Sequence, residues 1–155
     1  METGEGGGYN FRAPVRKLLS PPDLEMFKSS PICQEIKAFV VACAESVKGV
    51  SLTEARAIEL PDDSAVLKIE SYMSTLEALV GEVPPLQQPM RYGNKAFRTW
   101  HARMLETIPA FLEDILPTMV TEASVELGPY LAGCYGNETR IDYGTGHEAM
   151  LAGLR

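Results

Sequence analysis

The sequence predicts an all-α fold, an irregular arrangement of several helices. Three observations carry this prediction. Apolar residues recur at intervals of three and four in several separate stretches, which is the spacing of one face of a helix. Serine, aspartate or asparagine stands before several of these stretches, where helix caps belong. The alternating apolar and polar runs that form strands are nearly absent.

Composition limits the range of partners. The chain has 155 residues, of which 45% are apolar, enough for one domain that buries about two-thirds of its unfolded surface. A formal net charge of −7 argues against nucleic acid or an anionic membrane as a partner. The longest apolar run, residues 38–44, is too short to span a bilayer.

The cysteines and the first residues indicate an intracellular protein. Cys33, Cys43 and Cys134 lack the C-x-x-C spacing of metal or redox motifs and suit reduced thiols. Residues 1–5 show no basic stretch followed by an apolar core, so no secretory signal is expected. We expect a soluble protein of the cytoplasm or the nucleus.

A flexible segment is expected over residues 1–29. Residues 1–10 are rich in glycine and polar side chains, and prolines interrupt the connector that follows them. A short turn of helix is expected over residues 23–28, with Leu24 and Phe27 facing inward.

The first long helix is predicted to begin at Ser30 and Pro31, a capping serine followed by proline at the first helical position. Gly49 is expected to end it. Its apolar stripe is expected to lie in the core; the stripe consists of Ile32, Ile36, Phe39, Val40 and Cys43.

A second long helix is expected to begin at the acidic cap 62–64 and to run to about Val80, after a connector with a short helix over 53–58. Gly81 and the prolines at 84–85 are expected to end it. Its inward positions are Val66, Leu67, Ile69, Tyr72, Met73, Leu76 and Leu79.

A third long helix is predicted from Asn94 to about Leu116, and Pro109 is expected to kink or split it. His101 is expected at its surface. Two short helices are expected over 117–127 and 128–135, ended by Gly136. The inward positions of the third helix are Phe97, Trp100, Met104, Leu105, Ile108 and Leu112.

Residues 136–148 are the strongest candidate for function. If residues 140–143 are extended, Arg140 and Asp142 lie on one face. Gly144 and Gly146 then permit φ > 0 and close approach, and the backbone N–H groups of such a turn suit an anion. Arg140 adds a planar set of donors for phosphate. The functional interpretation is a phosphate-binding loop, and the simpler interpretation, which the residues alone favour, is a structural turn with an Arg140–Asp142 ion pair.

Three better-known site patterns do not fit this stretch. Residues 144–149 match G-x-G-x-x-A but lie outside a βαβ unit. A Walker A loop needs a lysine after its last glycine, and none follows Gly146. His147 and Glu148 begin like a zinc-protease motif, but Leu151 occupies the second histidine position.

A basic cluster lies upstream in this acidic protein and consists of Arg91, Lys95, Arg98 and Arg103. A solvated helix face is the simplest interpretation. The alternative is a contact with a charged partner or with nucleotide phosphates, and Lys95 and Arg98 are the candidate partner contacts.

Two long motifs resemble the signatures of the phosphotyrosyl phosphatase activator family (PTPA), the activators of protein phosphatase 2A. They are Gly-Asn-Glu-Thr-Arg-Ile-Asp-Tyr-Gly-Thr-Gly-His-Glu at 136–148 and Arg-Tyr-Gly-Asn-Lys-Ala-Phe-Arg-Thr-Trp at 91–100. The resemblance covers the N-terminal half of the family domain. It implies a partial PTPA-like helical domain over 30–148 and a divergent tail over 149–155.

The resemblance also implies a function. PTPA-like proteins bind the catalytic subunit of phosphatase 2A and ATP with magnesium, and they act as peptidyl-prolyl cis-trans isomerases on proline-containing peptides. Nucleotide contacts carry over to Arg140, Thr145 and Gly146. The neighbours expected to shape this pocket are Asp142, Tyr143, Gly144 and His147.

Other functional residues of the family have no counterpart in this chain. Its magnesium-binding acids lie in the other half of the domain, so no metal ligand is expected here, and no catalytic residue is assigned. The alternatives to an active isomerase are a non-catalytic binding module and an inactive truncated form whose inner face is exposed.

Overall fold

The structure is a computed structural model that describes residues 9–89 and 93–152. In this part of the chain there are seven α-helices, one 3₁₀ helix and no strand, which confirms the predicted all-α class. The α-helices are α1 (Pro21–Ser29), α2 (Pro31–Ser46), α3 (Leu52–Arg56), α4 (Ala65–Glu82), α5 (Ala96–Ile115), α6 (Ser124–Gly133) and α7 (Thr145–Ala152), and the 3₁₀ helix is Thr118–Ala123.

Capping serines set the starts of several helices, as expected. The Ser30 side chain accepts a hydrogen bond from the Cys33 N–H, and Pro31 occupies the first turn of α2. Ser64 caps α4 in the same way. Beyond the end of α2, Gly49 adopts φ 78°, the left-handed conformation that glycine takes without a steric cost. Local sequence therefore determines these helix boundaries.

The core forms where α4, α5 and α6 pack together. Met104 on α5 is completely buried. The Tyr72 ring stacks on Phe111 with 4.1 Å between centroids, and its hydroxyl lies 3.1 Å from the Thr107 hydroxyl. The remaining buried members are Leu76, Leu79, Ile108, Leu112, Leu131 and Cys134. This three-helix contact supports the segment that follows α6.

The three cysteines are free, as the sequence predicts. Cys33 and Cys134 are buried, and Cys43 is exposed. Burial raises the pKa of the Cys134 thiol to about 11, so that it is uncharged at neutral pH. Its Sγ donates to the Leu131 carbonyl at 2.9 Å, which is a structural role.

The expected burial of the α2 stripe is wrong. Ile32 is 51% exposed and Val40 is 50% exposed. Cys43 is exposed as well, and Cys33 is the one buried residue of this helix. The main neighbours of α2 are α1 and α7. A helical period identifies the apolar side of a helix, but it does not say whether another element covers that side.

Some inward positions on other helices are also exposed, contrary to expectation. Single-residue phase errors account for several of them, because neighbouring positions on a helix differ by about 100° in direction. Leu105, which is 41% exposed, directly follows the buried Met104. The other residues wrongly expected inside are Leu24, Val66, Ile69 and Met73.

Pro109 does not split α5, which is continuous over Ala96–Ile115. Proline has no backbone N–H, so Pro109 cannot donate to the carbonyl of Leu105, four residues earlier in the helix. Both residues are exposed. Solvent can therefore satisfy that carbonyl. The two short helices expected over 117–135 are instead the 3₁₀ helix and α6, and α6 ends at Gly133, before the expected Gly136.

Among the described residues, no helix has the length and the apolar content needed to cross a bilayer. Residues 1–8 of the expected tail and residues 153–155 lie outside the described part, and the predicted division into three segments stays a prediction. Residues 21–29 of the first segment form α1, and residues 149–152 of the last belong to α7.

Candidate functional site

The two motifs of the sequence meet at one place. The start of α5 lies against the turn at residues 136–142. A Cβ atom added to Gly93 would lie 2.5 Å from the backbone oxygen of Ile141, and one added to Gly136 would lie 2.8 Å from the Asp142 oxygen. Both approaches therefore require glycine. Arg91, from the same motif, lies outside the described residues.

Residues 137–142 form a closed turn, so the expected extended conformation of 140–143 is wrong. The Asn137 N–H donates to the Asp142 carbonyl at 3.0 Å, and the Ile141 N–H donates to the Asn137 carbonyl at 2.7 Å. The Asn137 side chain accepts from the Arg140 N–H at 2.8 Å. Asparagine side chains stabilise such turns because they bond to nearby backbone groups.

The positive backbone angles lie at unexpected positions. Ile141 adopts φ 53° and Gly136 adopts φ 110°, whereas Gly144 and Gly146 have no such angle. A β-branched residue at positive φ is strained, and it persists only where neighbouring contacts hold it. The expected φ > 0 at Gly144 and Gly146 is wrong because these residues lie at the start of α7.

Arg98 connects α5 to this turn. Its Nε donates to the Glu138 carbonyl at 3.0 Å, and its Nη2 donates to the Thr139 carbonyl at 3.2 Å. Arg103 pairs with Glu82 on α4 instead. The basic cluster thus divides into separate contacts, while Lys95 remains exposed at the start of the helix.

His101 is buried, although it was expected at the surface. Its residue exposure is 5%, and neither ring nitrogen has a hydrogen-bond partner among the described residues. The Nδ1 atom lies 3.8 Å from the Glu138 carboxylate. The available signal was its spacing of three and four from Met104 and Phe97, which are also turned toward the core.

Arg140, Asp142 and His147 form a charged group. Arg140 Nε lies 2.6 Å from Asp142 Oδ2, and His147 Nε2 lies 3.6 Å from Asp142 Oδ1. Hydrogen bonding from Arg140 lowers the pKa of Asp142 below its ordinary value. The stabilisation from this carboxylate is therefore present above its unfolded pKa and lost as the pH falls through the lowered value. The ion pair of the simpler alternative is present.

Two of the three residues predicted to contact nucleotide, Thr145 and Gly146, begin α7, and the third, Arg140, lies in the turn before it. The Gly144 carbonyl accepts from the His147 N–H at 2.8 Å and the Glu148 N–H at 3.3 Å, which makes it the start of α7. Thr145 and Gly146 form the first turn and are exposed. The first N–H groups of a helix have no acceptor within it, so this end has free donors.

Contacts with α6 hold α7 in place. His147 Nδ1 donates to the Gly133 carbonyl at 2.6 Å, and the Met150 side chain packs against Gly133 so closely that a Cβ there would overlap it. The Tyr143 ring stacks on His147 with 5.9 Å between centroids. Tyr143 and His147 therefore shape the start of α7, and their support of a nucleotide pocket stays a prediction.

An apolar groove of about 350 Å³ adjoins the turn. Four aromatic rings contribute to its wall, together with residues at and just after the end of α4. Its lining residues are Val80, Val83, Pro85, Asn94, Ala96, Phe97, Trp100, Tyr135 and Tyr143. Tyr143 thus lies both in the groove and next to the charged group. Residues 9–89 and 93–152 contain no cluster of three or more metal-ligating side chains.

These features define an all-helical domain with a charged turn at residues 137–142. The turn contacts the start of α5 and separates the aromatic groove from the first turn of α7. The profile of the family described as phosphotyrosyl phosphate activator (PTPA) protein matches residues 14–154. The chain belongs to this family.

Individual relatives agree with this assignment. A probable serine/threonine-protein phosphatase 2A activator 1 of Dictyostelium discoideum is 30% identical over 140 residues, which are 90% of this chain and 42% of the relative. A serine/threonine-protein phosphatase 2A activator of Drosophila melanogaster is 36% identical over 136 residues, 88% of this chain and 33% of the relative. The chain spans less than half the length of either protein.

A solved structure matches the fold as well. The crystal structure of the PP2A phosphatase activator Ypa1 superposes with a TM-score of 0.74 at 30% sequence identity. The match covers 97% of this chain and 48% of the solved chain. The family resemblance of the two motifs is therefore confirmed by sequence and by structure.

The close approach at Gly93 predicts the effect of a single methyl group. Gly93→Ala should lower the free energy of unfolding by about 1–3 kcal/mol, because the backbone oxygen of Ile141 must move away. Urea denaturation measures this loss. Gly146→Ala is the control, because a Cβ there meets no atom within 4 Å. Equal stability of the two variants would contradict the close contact between the motifs.

Proposed function

We propose that this chain binds the catalytic subunit of a type 2A serine/threonine protein phosphatase and takes part in its activation. The observation that carries the proposal is the match of 97% of the chain to a PP2A phosphatase activator of known structure. Two relatives that are named as activators of phosphatase 2A support it. The activity is a proposal because the chain spans only part of each relative.

The surface around the start of α5 supports a partner contact. Lys95 is exposed there, and its backbone N–H donates to Gln88 Oε1 at 3.2 Å. The backbone beneath this lysine is thus held while its ammonium group remains accessible. Arg98 already bonds to two carbonyls of the turn, so Lys95 is the better candidate for a contact with an acidic partner surface.

A non-catalytic binding module is the alternative. It is favoured by the exposed apolar side of α2, where Ile32 and Val40 are each at least half exposed. Apolar side chains clustered on one helix face are typical of surfaces that bind another protein. In this alternative the phosphatase binds to the chain, and no prolyl isomerisation follows.

The phosphatase proposal predicts an effect of charge reversal. Lys95→Glu should weaken binding to the purified catalytic subunit about tenfold, because like charges then face each other. Calorimetry or surface plasmon resonance at two salt concentrations measures the change. Lys48→Glu carries the same charge change at an exposed lysine next to the end of α2 and serves as the control. No binding by the wild-type chain would overturn the proposal.

We further propose that ATP binds at the turn and the start of α7. The Thr145 hydroxyl, the first N–H groups of α7 and the remaining N–H groups of Arg140 suit a phosphate. Asp142 takes up Arg140 Nε, which leaves both terminal nitrogens of the guanidinium for a ligand. Magnesium is expected with ATP in the family, and the proposal assigns it no ligand from this chain.

The ATP proposal predicts a loss on removal of Arg140. Arg140→Ala should reduce ATP affinity by about 1.5–3 kcal/mol, the range for a hydrogen bond to a charged group. Thr145→Ala should have a smaller effect because it removes one neutral donor. Calorimetry at high protein concentration with magnesium present measures both. Arg103→Ala, which breaks a pair with Glu82 on α4, is the matched control. Equal affinity of Arg140→Ala and wild type would make Arg140 a structural residue.

We propose the aromatic groove as the place where a proline-containing peptide binds for isomerisation. Rotation about a prolyl amide needs no nucleophile, because the barrier of about 18–20 kcal/mol comes from amide resonance. An apolar groove of about 350 Å³ with aromatic walls suits a proline ring. The Trp100 and Tyr143 rings that line it support this role.

The groove proposal predicts a fluorescence change, because Trp100 is the one tryptophan of the chain. A proline-containing peptide should shift its emission saturably, and the same peptide with alanine for proline should not. Tyr143→Ser should weaken peptide binding about three- to tenfold through loss of an aromatic contact. Tyr130→Ser, outside the groove, is the control. Absence of cis-trans exchange in magnetisation-transfer NMR, with the peptide bound, would favour the non-catalytic module.

A further inference from the structure

We infer that Arg98 is a positioning residue, which fixes the turn at 137–142 and thereby orients Arg140 at the proposed nucleotide site. This inference rests on the ATP proposal for its functional consequence. The contact itself stands on geometry, because the guanidinium of Arg98 bonds to two successive carbonyls of the turn, those of Glu138 and Thr139.

The direction of these bonds carries the argument. The Thr139 carbonyl belongs to the peptide unit whose nitrogen is the backbone nitrogen of Arg140. That peptide unit is therefore held on both sides, by Arg98 at its oxygen and by the Asn137 side chain at its N–H. A peptide unit fixed in this way sets the direction in which the Arg140 side chain leaves the backbone.

The turn needs such a support. Ile141 is held at φ 53°, a conformation that an isoleucine avoids in a flexible loop. Glu138 and Thr139 are exposed, so no core packing restrains the outer part of the turn. A planar guanidinium suits this task because its donors have a fixed spacing, whereas a lysine ammonium is a single point charge.

The same helix face provides a second approach to Glu138. His101 lies one turn after Arg98 on α5, is buried, and places Nδ1 3.8 Å from the Glu138 carboxylate. The backbone of Glu138 thus faces Arg98 while its side chain faces His101. Both contacts come from α5, and Lys95 stands directly before this helix. One rigid element thus connects the candidate phosphatase contact to the proposed nucleotide site.

Backbone amide hydrogen exchange of the full chain tests the positioning role directly. In Arg98→Ala, the amides of Asn137, Arg140 and Ile141 should exchange about tenfold faster, because each donates within the turn. The amides in the middle of α5 should be unchanged. A general loss of stability would accelerate all of them. If the turn amides exchange at the wild-type rate, the inference is wrong.

ATP binding tests the consequence. Arg98→Ala should weaken ATP binding about tenfold in calorimetry, although Arg98 itself does not contact the ligand. Arg98→Lys keeps the charge and the aliphatic stem but cannot bridge two carbonyls, so it should show a partial loss and serves if the alanine variant fails to fold. Arg103→Ala on the same helix is the control. Unchanged ATP affinity in a variant with a loosened turn would overturn the link to Arg140.

Two further outcomes separate this inference from the proposed function. If the wild-type chain binds no ATP, the nucleotide proposal fails, and the exchange of the turn amides alone decides whether Arg98 positions the turn. If Arg98→Ala loses phosphatase binding while the turn amides and ATP affinity stay unchanged, Arg98 is a direct partner contact and the inference is overturned.

Discussion

The close contact between the start of α5 and the turn at 136–142 is the constraint on which the candidate site depends. The backbone oxygen of Ile141 approaches position 93 so closely that only glycine fits there, and within the turn the Asp142 oxygen imposes the same limit on Gly136. The chain leaves this turn directly into α7, whose His147 and Met150 contact Gly133 on α6. Because α5 and α6 also pack in the core, the proposed phosphate donors are fixed between two helices that cannot move independently.

The charged group at the turn has a structural role, and the ATP proposal gives it a functional role as well. The two roles do not exclude each other. The pair between Arg140 and Asp142 is exposed, so its net contribution to stability is small. The pair instead orients the Arg140 side chain, because Asp142 binds one edge of its guanidinium and also faces His147 at the start of α7. A phosphate at the other edge would pair with the terminal nitrogens of the Arg140 guanidinium.

Much of the fold could be predicted from sequence, because local signals decide helix starts. Ser30, Ser64 and Gly49 act as their residue types suggest. The site was predicted less completely. The motifs identified its residues, and the helical spacing of His101 indicates its burial, but the positive φ of Ile141 belongs to a turn held by contacts from the start of α5, far away in the sequence. No local pattern encodes such contacts, and the exposure of the α2 stripe depends on them as well.

The arrangement separates protein binding at the exposed side of α2 from the isomerisation proposed for the groove. The groove, the turn and the start of α7 rest on the packed core of α4, α5 and α6. The exposed apolar side of α2 lies on a helix whose main neighbours are α1 and α7. A protein bound along α2 would therefore lie next to α7, the helix whose first turn carries the proposed phosphate donors. Protein binding at α2 and the isomerisation proposed for the groove can thus be lost independently. If binding at α2 influences the groove, it does so through α7.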